Sequence, residues 1–445
     1  MDKIKQKIVT ARTNKFWRNL FKNSFWAFLG DTGSSLIVLA VTVLLIHQIG
    51  DDSYGIIVLA ETYMYIMDVI FNLQSWKSTI QYGQKALTNK KPQQLRSYVK
   101  LGAIVDVSTA IVGGALAVIV TPVVGMIFGW QPELIFCARI MSIEIFFHLS
   151  GTSTAILRIM DKFNLVAIQK IIASVIKIVS LLVLLCVMEE KNICNVAWVY
   201  CLSDILGNIL LVVFAMTVYG KKYGIKNTIK AKIPNDSRKF VSFTIWSTIE
   251  GIADIPVSQL DVFIVSLLGN QSVAIFKVYK QIVNILRKVT SPIQQSIMPQ
   301  FSELSAKRKQ KEGYVIVIKI RNVILRVCLP ISLLLGVTSP VWLNIIYGEA
   351  YATEWYSLLT FLIIQTFALS YTTIHPFYLS LGKPKSSALI LVFANIVYAI
   401  IAYILIGEIG LMAMMVAYAV QCFTCVYLKV AGAKKTIAGL GESVE

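Results

Sequence analysis

Charge is scarce in this chain, and negative charge is scarcer. Only 15% of its 445 residues are Asp, Glu, Lys or Arg, and 56% are hydrophobic. A soluble domain carries about 25% charged residues. With a mean hydropathy of +0.69, too few polar residues remain to cover a soluble surface. Histidine is rarer still: there are three, none at metal-ligand spacing, so no metal site is expected. No GxxxxGK[ST] loop occurs, which argues against ATP hydrolysis. No loop is long enough to hold a catalytic domain, which argues against a polymerase or transferase; the chain is not expected to be an enzyme or to carry a cofactor. Cysteine is no framework either. Most of the seven lie in apolar runs, and Cys194 alone falls in an outer loop. The pair Cys422 and Cys425 reads as helix packing rather than redox chemistry.

What is abundant is apolar sequence in runs near 20 residues, the length that crosses a bilayer. Twelve spans are expected, at about 24–46, 54–75, 101–122, 135–157, 166–187, 196–219, 240–268, 273–298, 318–343, 356–379, 387–406 and 411–430. The basic segment 1–23 carries Trp17, Leu20 and Phe21 as the apolar side of a short membrane-surface helix, and it leads into an uncleaved first anchor. The net charge of +18 would suggest nucleic acid in a soluble protein. Here it sets topology, and no nucleic-acid partner is expected. With both termini inside, 34 Lys and Arg fall on inner segments and span ends, one (Lys191) falls in an outer loop, and seven lie within spans. That asymmetry is a positive-inside signal. The loop 220–239 divides the chain into a lobe over 24–219 and a second over 240–430, followed by an inner tail over 431–445.

The stretch 269–301 is apolar enough to be buried, yet carries Lys277, Lys280, Arg287 and Lys288. At about 100° per residue they share a helical arc of roughly 100°, with Asn284 inside it. Each charge facing lipid at mid-membrane would cost about 2.5–3.5 kcal/mol. The stripe therefore has to line a polar cavity that attracts anions. Arg287 and Lys288 lie about 22 Å along this span, at 1.5 Å per residue, too deep to snorkel outward as Lys277 can. Arg139, in span 4, is a further cavity candidate.

Shifted by about half the chain, Gly50 falls on Gly269 and IGDDS on LGNQS; Asp31 then meets Glu250, Glu61 meets Lys280 and Asp68 meets Arg287. This reads as a parallel repeat about an axis along the membrane normal. Asp31, Glu61, Asp68, Glu144, Glu250, Asp254 and Asp261 are candidates for ion coupling or gating. Pro256 is expected to break or bend span 7. The blander alternative is that the acids of span 7 pair with the bases of span 8 and hold the bundle together. His148 reads as packing more readily than as a proton relay, and Lys177 is undecided.

The stretch from Gln259 to Leu304, with Asp261, Leu268, Gly269, Tyr279 and Pro299, resembles the seventh and eighth spans of the polysaccharide-transporter flippases. IIYGEAYA at 345–352 resembles the element after that family's ninth span, with Tyr347 for the usual Phe. YLSLGKPKSS at 378–387 resembles its Gly-Lys loop, and IGDDSYG at 49–55 its first outer turn. The resemblance implies membership of the multidrug, oligosaccharidyl-lipid and polysaccharide exporter superfamily. The implied fold is all-α: two six-helix lobes, related by a pseudo-two-fold axis, in a V-shaped alternating-access transporter. The implied substrate is a polyprenyl-diphosphate-linked oligosaccharide, as for O-antigen or capsule repeat units, flipped to the outer face of a bacterial plasma membrane. Lipids and polysaccharide polymerase or assembly proteins are the expected partners. The competing readings are a cation-coupled drug or metabolite antiporter of the same fold, and a scaffold that transports nothing.

Overall fold

Every regular element among the described residues is helical, as the spacing of the apolar runs requires when no water is present to satisfy backbone groups. The computed structural model describes the backbone of residues 2–73, 75–187, 192–252, 255, 259–306 and 309–438. Side chains are described from Phe25 onward, apart from some positions that include Glu250 and 291–296. The amphipathic segment expected near Trp17 therefore has a helical backbone but lies outside the described side chains. Asp254 and Pro256 lie outside the described residues altogether.

The helices are α1 (Asp2–Ile49), α2 (Asp51–Phe71), α3 (Ser75–Thr88), α4 (Pro92–Phe128), α5 (Pro132–Ser142) and α6 (Ser150–Ile159). They continue with α7 (Phe163–Val187), α8 (Ile193–Tyr223), α9 (Ile225–Ile229), α10 (Ser237–Ile252), α11 (Asp261–Val265) and α12 (Asn270–Ala306). The remainder are α13 (Gln310–Val337), α14 (Ser339–Tyr347), α15 (Glu349–Thr353), α16 (Trp355–Ser370), α17 (Ile374–Ser380), α18 (Pro384–Ile409) and α19 (Met412–Ala438). Among the described residues, nine helices are long and apolar enough to cross a membrane, and α5–α6 form a tenth, bent by 44°. They coincide with ten of the twelve expected spans. The other two positions in the order belong to α10–α11 and to α12. In α12 the basic stripe lowers the apolar character. Large apolar side chains are exposed on the others: Met126 is 81% exposed and Val187 75%. That is the surface a lipid-facing helix presents.

The chain forms two compact units, one of Met1–Val41 with Tyr63–Ile252, the other of Thr42–Thr62 with Ala253–Glu445. These units cross the covalent halves. The end of α1 and the start of α2 pack with the second unit, and α10 packs with the first.

In the first unit, Leu95, Tyr98, Leu157, Leu211, Tyr219 and Phe240 form a buried core. Full burial of a side chain such as Phe240 contributes about 1.5–3 kcal/mol. The segment after α8 is drawn onto this unit by α4: Arg96 Nε donates to the Tyr223 carbonyl (3.0 Å), Lys100 Nζ to the Ala231 carbonyl (2.8 Å) and the Tyr98 hydroxyl to Asp236 (2.9 Å). A loop that reads as a linker is thus tied down by the preceding basic helix.

In the second unit, Phe301, Tyr314, Phe377 and Tyr378 pack together. Gly50 and Gly269, which the repeat superimposes, stand immediately before α2 and α12 at φ of +81° and +100°. Both adopt the left-handed backbone that glycine reaches without a Cβ clash.

Candidate functional site

Helix α12 begins at that glycine turn and runs 37 residues. Its apolar face is buried through Val273, Ile275, Val278, Tyr279 and Val283. Tyr279 anchors its N-terminal half: its hydroxyl donates to the Tyr351 carbonyl at 2.7 Å, while the Tyr351 hydroxyl donates to Asp51 at 3.1 Å. Burial, with Asp51 adding to it, pushes the Tyr351 phenol upward, so it stays a neutral donor. With one face fixed in this way, the basic stripe points where the remaining polar groups of the second unit gather.

The four bases are not equivalent. Lys277 Nζ lies 3.0 Å from Glu61 Oε2, with both side chains partly exposed. Lys280 Nζ lies 2.5 Å from Asp261 Oδ2, and this pair is buried, its side chains 17% and 3% exposed. The Lys280 ammonium also sits 5.5 Å from the Phe276 ring centroid. Asp261 is held at the start of α11, where it accepts the Val262 amide at 2.8 Å. Two carboxylates thus offset the first two lysines of the stripe. Arg287 is exposed and donates through Nη2 to the Tyr418 hydroxyl at 3.0 Å, which in turn donates to Gln365 Oε1 at 2.8 Å. Asn284 is exposed one turn above, and Lys288 half-buried beside it. Glu61 and Asp261 pair with the first two of the stripe's four positive charges, and Arg287 and Lys288 follow in its C-terminal half. Arg287 presents a planar fork there, held by a neutral phenol rather than a carboxylate, a geometry suited to phosphate oxygens.

The first unit holds a different polar network. Span 4 breaks at His148, between a 3-10 turn (Ile143–Phe147) and α6. His148 Nδ1 lies 2.7 Å from Asp68 Oδ2. Asn72 donates to Asp68 at 3.0 Å and to the His148 carbonyl, freed by the break, at 3.1 Å. Asp106 accepts the Ser75 hydroxyl and, at 2.6 Å, the Thr152 amide in the first turn of α6. It acts as a helix cap: a carboxylate meeting the exposed donors and positive dipole end. Asn208 donates to Glu144 at 3.4 Å, and Lys177 pairs with Asp204 at 2.6 Å beside the Tyr200 ring. Among the described residues, four carboxylates here face one lysine and one histidine.

Of the remaining candidates, Asp31 pairs with Lys170 at 2.5 Å with both side chains 44% exposed. Arg139 is exposed on α5 of the first unit, and the Glu250 side chain lies outside those described. Sequence reasoning passed over Asp106 and Asp204, although an acid inside an apolar span is signal enough. His148, read as packing, lies 2.7 Å from an Asp68 carboxylate oxygen. Among the described residues no three His, Cys, Asp or Glu side chains gather as a metal site.

Comparison with known proteins agrees with this architecture. The chain shares its fold with an inward-facing multidrug resistance MATE family transporter of the MOP superfamily, at a TM-score of 0.73 and 13% identity over 93% of this chain and 95% of that one. A MOP superfamily transporter from Pyrococcus furiosus, described as having a binding pocket of reverse polarity, matches at a TM-score of 0.64 and 12% identity over 96% of each chain. The Escherichia coli K12 inner membrane protein YghQ is 29% identical over 157 residues, 35% of this chain and 43% of its own length. A Shigella flexneri protein assigned by name to O-antigen transport is 24% identical over 62% of this chain and 64% of its own length. Both matches span less than two thirds of the relative. The family described as "Polysaccharide biosynthesis protein" matches residues 20–305. With more than half of its length matched, and the motifs at the α11–α12 junction inside that match, the chain belongs to the polysaccharide biosynthesis protein family.

Proposed function

We propose that this chain is a flippase that moves polyprenyl-diphosphate-linked oligosaccharides from the inner to the outer leaflet of a bacterial plasma membrane. The observation that carries the reading is the inner half of α12, where Arg287 is exposed and held by Tyr418 rather than by an acid. A diphosphate leaving water loses hydration worth many kcal/mol unless charged donors replace it. Arg287 and Lys288 supply those donors, Asn284 a further polar contact, and the polyprenyl tail stays in lipid. Lys277 and Lys280, each beside a carboxylate, act as gating pairs that open only if their acids are neutralised or the substrate competes. The decisive assay is flipping of a polyprenyl-diphosphate oligosaccharide in proteoliposomes. Arg287→Ala with Lys288→Ala is expected to lower the rate at least about 100-fold, the loss of roughly 3 kcal/mol of charge-assisted contact. An inserted, folded double variant that flips like the parent sinks the reading.

The first unit is assigned the coupling step. Asp68 faces His148 and Asn72, with Asp106, Glu144, Asp204 and Lys177 on the neighbouring helices. Ionising all four acids would leave the network net negative within the membrane layer, so it retains at least one proton or takes up a cation. Asp68→Asn is expected to leave gradient-free exchange intact while abolishing the response to an imposed pH gradient, read as flipping rate against external pH. An unchanged gradient response removes Asp68 from coupling. The same acids keep a second reading open, a cation-coupled drug or metabolite antiporter, in which drug efflux persists in the Arg287/Lys288 variant. A non-transporting scaffold predicts that the parent flips nothing and that surface-polysaccharide assembly survives the double substitution.

A further inference from the structure

Helix α10 carries an exposed stripe that the stripe on α12 does not account for. At about 100° per residue, Arg238, Ser242, Ile245 and Ile249 share an arc of roughly 60°, and Lys239, Phe243 and Trp246 share a second arc of roughly 60° that begins about 40° further round. The opposite face is buried: Phe240 packs in the first unit's core, and Thr244 lies 2.6 Å from Ser78 on α3. The exposed face is therefore held rigidly by the same unit. Trp246 is 68% exposed, Ile245 43% and Ile249 46%.

Two grooves flank this face, and they differ in lining. One, of about 680 Å³, is aliphatic, with Leu101, Ile233, Val241, Ile245 and Ile249. The other, of about 420 Å³, is aromatic, with Tyr82, Phe243 and Trp246, and Lys239 at its edge. Arg238, Ser242 and Trp246 line both. The nearest acid in sequence, Asp236, accepts the Tyr98 hydroxyl, which lies 2.9 Å from each carboxylate oxygen. From Arg238 to Ile249 the helix rises about 16 Å, roughly one leaflet of a 30 Å hydrocarbon layer.

We propose that this face is the loading site for a lipid with a sugar-bearing diphosphate headgroup, in the leaflet next to the α9–α10 segment. The inference rests on the flippase reading and extends it to a step before the cavity. The polyprenyl chain lies in the aliphatic groove, over a length that matches one leaflet. Arg238 and Lys239 meet the diphosphate at the mouth, where two adjacent cations match a headgroup carrying more than one negative charge. The first sugar lies against Trp246 and Tyr82 in the aromatic groove, where an amphipathic ring offers an apolar face. A common phospholipid uses only part of this arrangement, because its single phosphate needs one cation and it brings no sugar for the aromatic groove.

The test is lipid retention in nanodiscs of phosphatidylglycerol and phosphatidylethanolamine, read by native mass spectrometry. The probes are polyprenyl diphosphate with and without a sugar. Arg238→Gln with Lys239→Gln is expected to weaken retention of both probes about tenfold, or 1.4 kcal/mol, with phosphatidylglycerol retention unchanged. Trp246→Leu is expected to weaken only the sugar-bearing probe. All three positions are exposed, so the variants fold. Equal retention by parent and variants overturns the site, as does phosphatidylglycerol displacing the probes at equal concentration. Arg287→Ala with Lys288→Ala separates the two claims: it should retain the probes and fail to flip them. A parent that flips the substrate yet shows no loss in the Arg238/Lys239 variant overturns the loading site alone. A parent that neither binds nor flips overturns both.

Discussion

Arg287 and Lys280 lie two turns apart on one helix face, and their surroundings give them different parts. Lys280 and Asp261 are buried together. Removing one member of such a pair strands the other, at about 3–5 kcal/mol, whereas replacing both by apolar groups is often neutral. Asp261→Asn is therefore expected to lower the thermal midpoint in detergent by several degrees, and Asp261→Asn with Lys280→Met to recover most of the loss. If the stable double variant still flips substrate, Lys280 is structural. If it is stable and inactive, the pair is a gate. That acids of span 7 pair with bases of span 8 is the blander alternative in the sequence; which acid meets which base could not be read. The partners are 19 residues apart across the helix break between α11 and α12, and helical periodicity does not carry through a break. Arg287 could be read, because depth and charge alone forbid it from facing lipid.

At the scale of elements, two helix junctions carry most of the geometry. The first is the glycine turn before α2 and α12. Gly55, one turn into α2, lies so close to the start of α12 that an added Cβ would sit 2.1 Å from the Asn270 carbonyl oxygen. Backbone cannot yield as a flexible side chain does, so Gly55→Ala must push the two helices apart. The expected cost is about 2 kcal/mol or more, by the overpacking rule, read as a drop in thermal midpoint and in folded yield. A variant as stable as the parent would show that this contact does not hold the second unit together. The glycines themselves were legible as turn signals; the contact between the two turns was not. The second junction is the break at His148. Nothing in SIEIFFHLSGTS announces it, since no proline interrupts the run. It depends on partners from other helices: Asn72 satisfies the freed carbonyl and Asp106 caps the helix that restarts. A histidine that looks like packing in one dimension becomes, at that break, the partner of Asp68.

At the scale of the whole chain, the charge asymmetry makes a statement about orientation. The basic segments at the start, after α2, before α10 and after α12 all belong on one side. Membrane-impermeant thiol reagents on intact cells should label a single-cysteine variant retaining Cys194, which is only partly buried at the start of α8. A cysteine introduced at Lys226 or Lys383 should react only after the membrane is opened. The reverse pattern would invert the topology and place the α10 stripe in the opposite leaflet. The contact units add what hydropathy does not convey. A 48-residue α1 begins in one unit and ends in the other, so the covalent halves and the packed bodies are not the same division.

Composition and periodicity by themselves determined that this chain is a bundle of membrane helices, and they carry the expectation that most bases share one side and that the basic stripe is kept from lipid. Those properties follow from transfer free energies, which depend on residue type and spacing and on little else. Tertiary structure alone decided which base meets which partner. Pairing is a matter of a few ångströms between residues far apart in the chain: Lys280 meets Asp261, Lys277 meets Glu61, and Arg287 meets only a phenol among its hydrogen-bonding partners described above. The same holds for α10, whose basic and aromatic residues read as an ordinary helix start until packing leaves one face open between two grooves of unlike lining. Burial on one side of a helix defines what remains on the other, and that depends on neighbours the local sequence does not name.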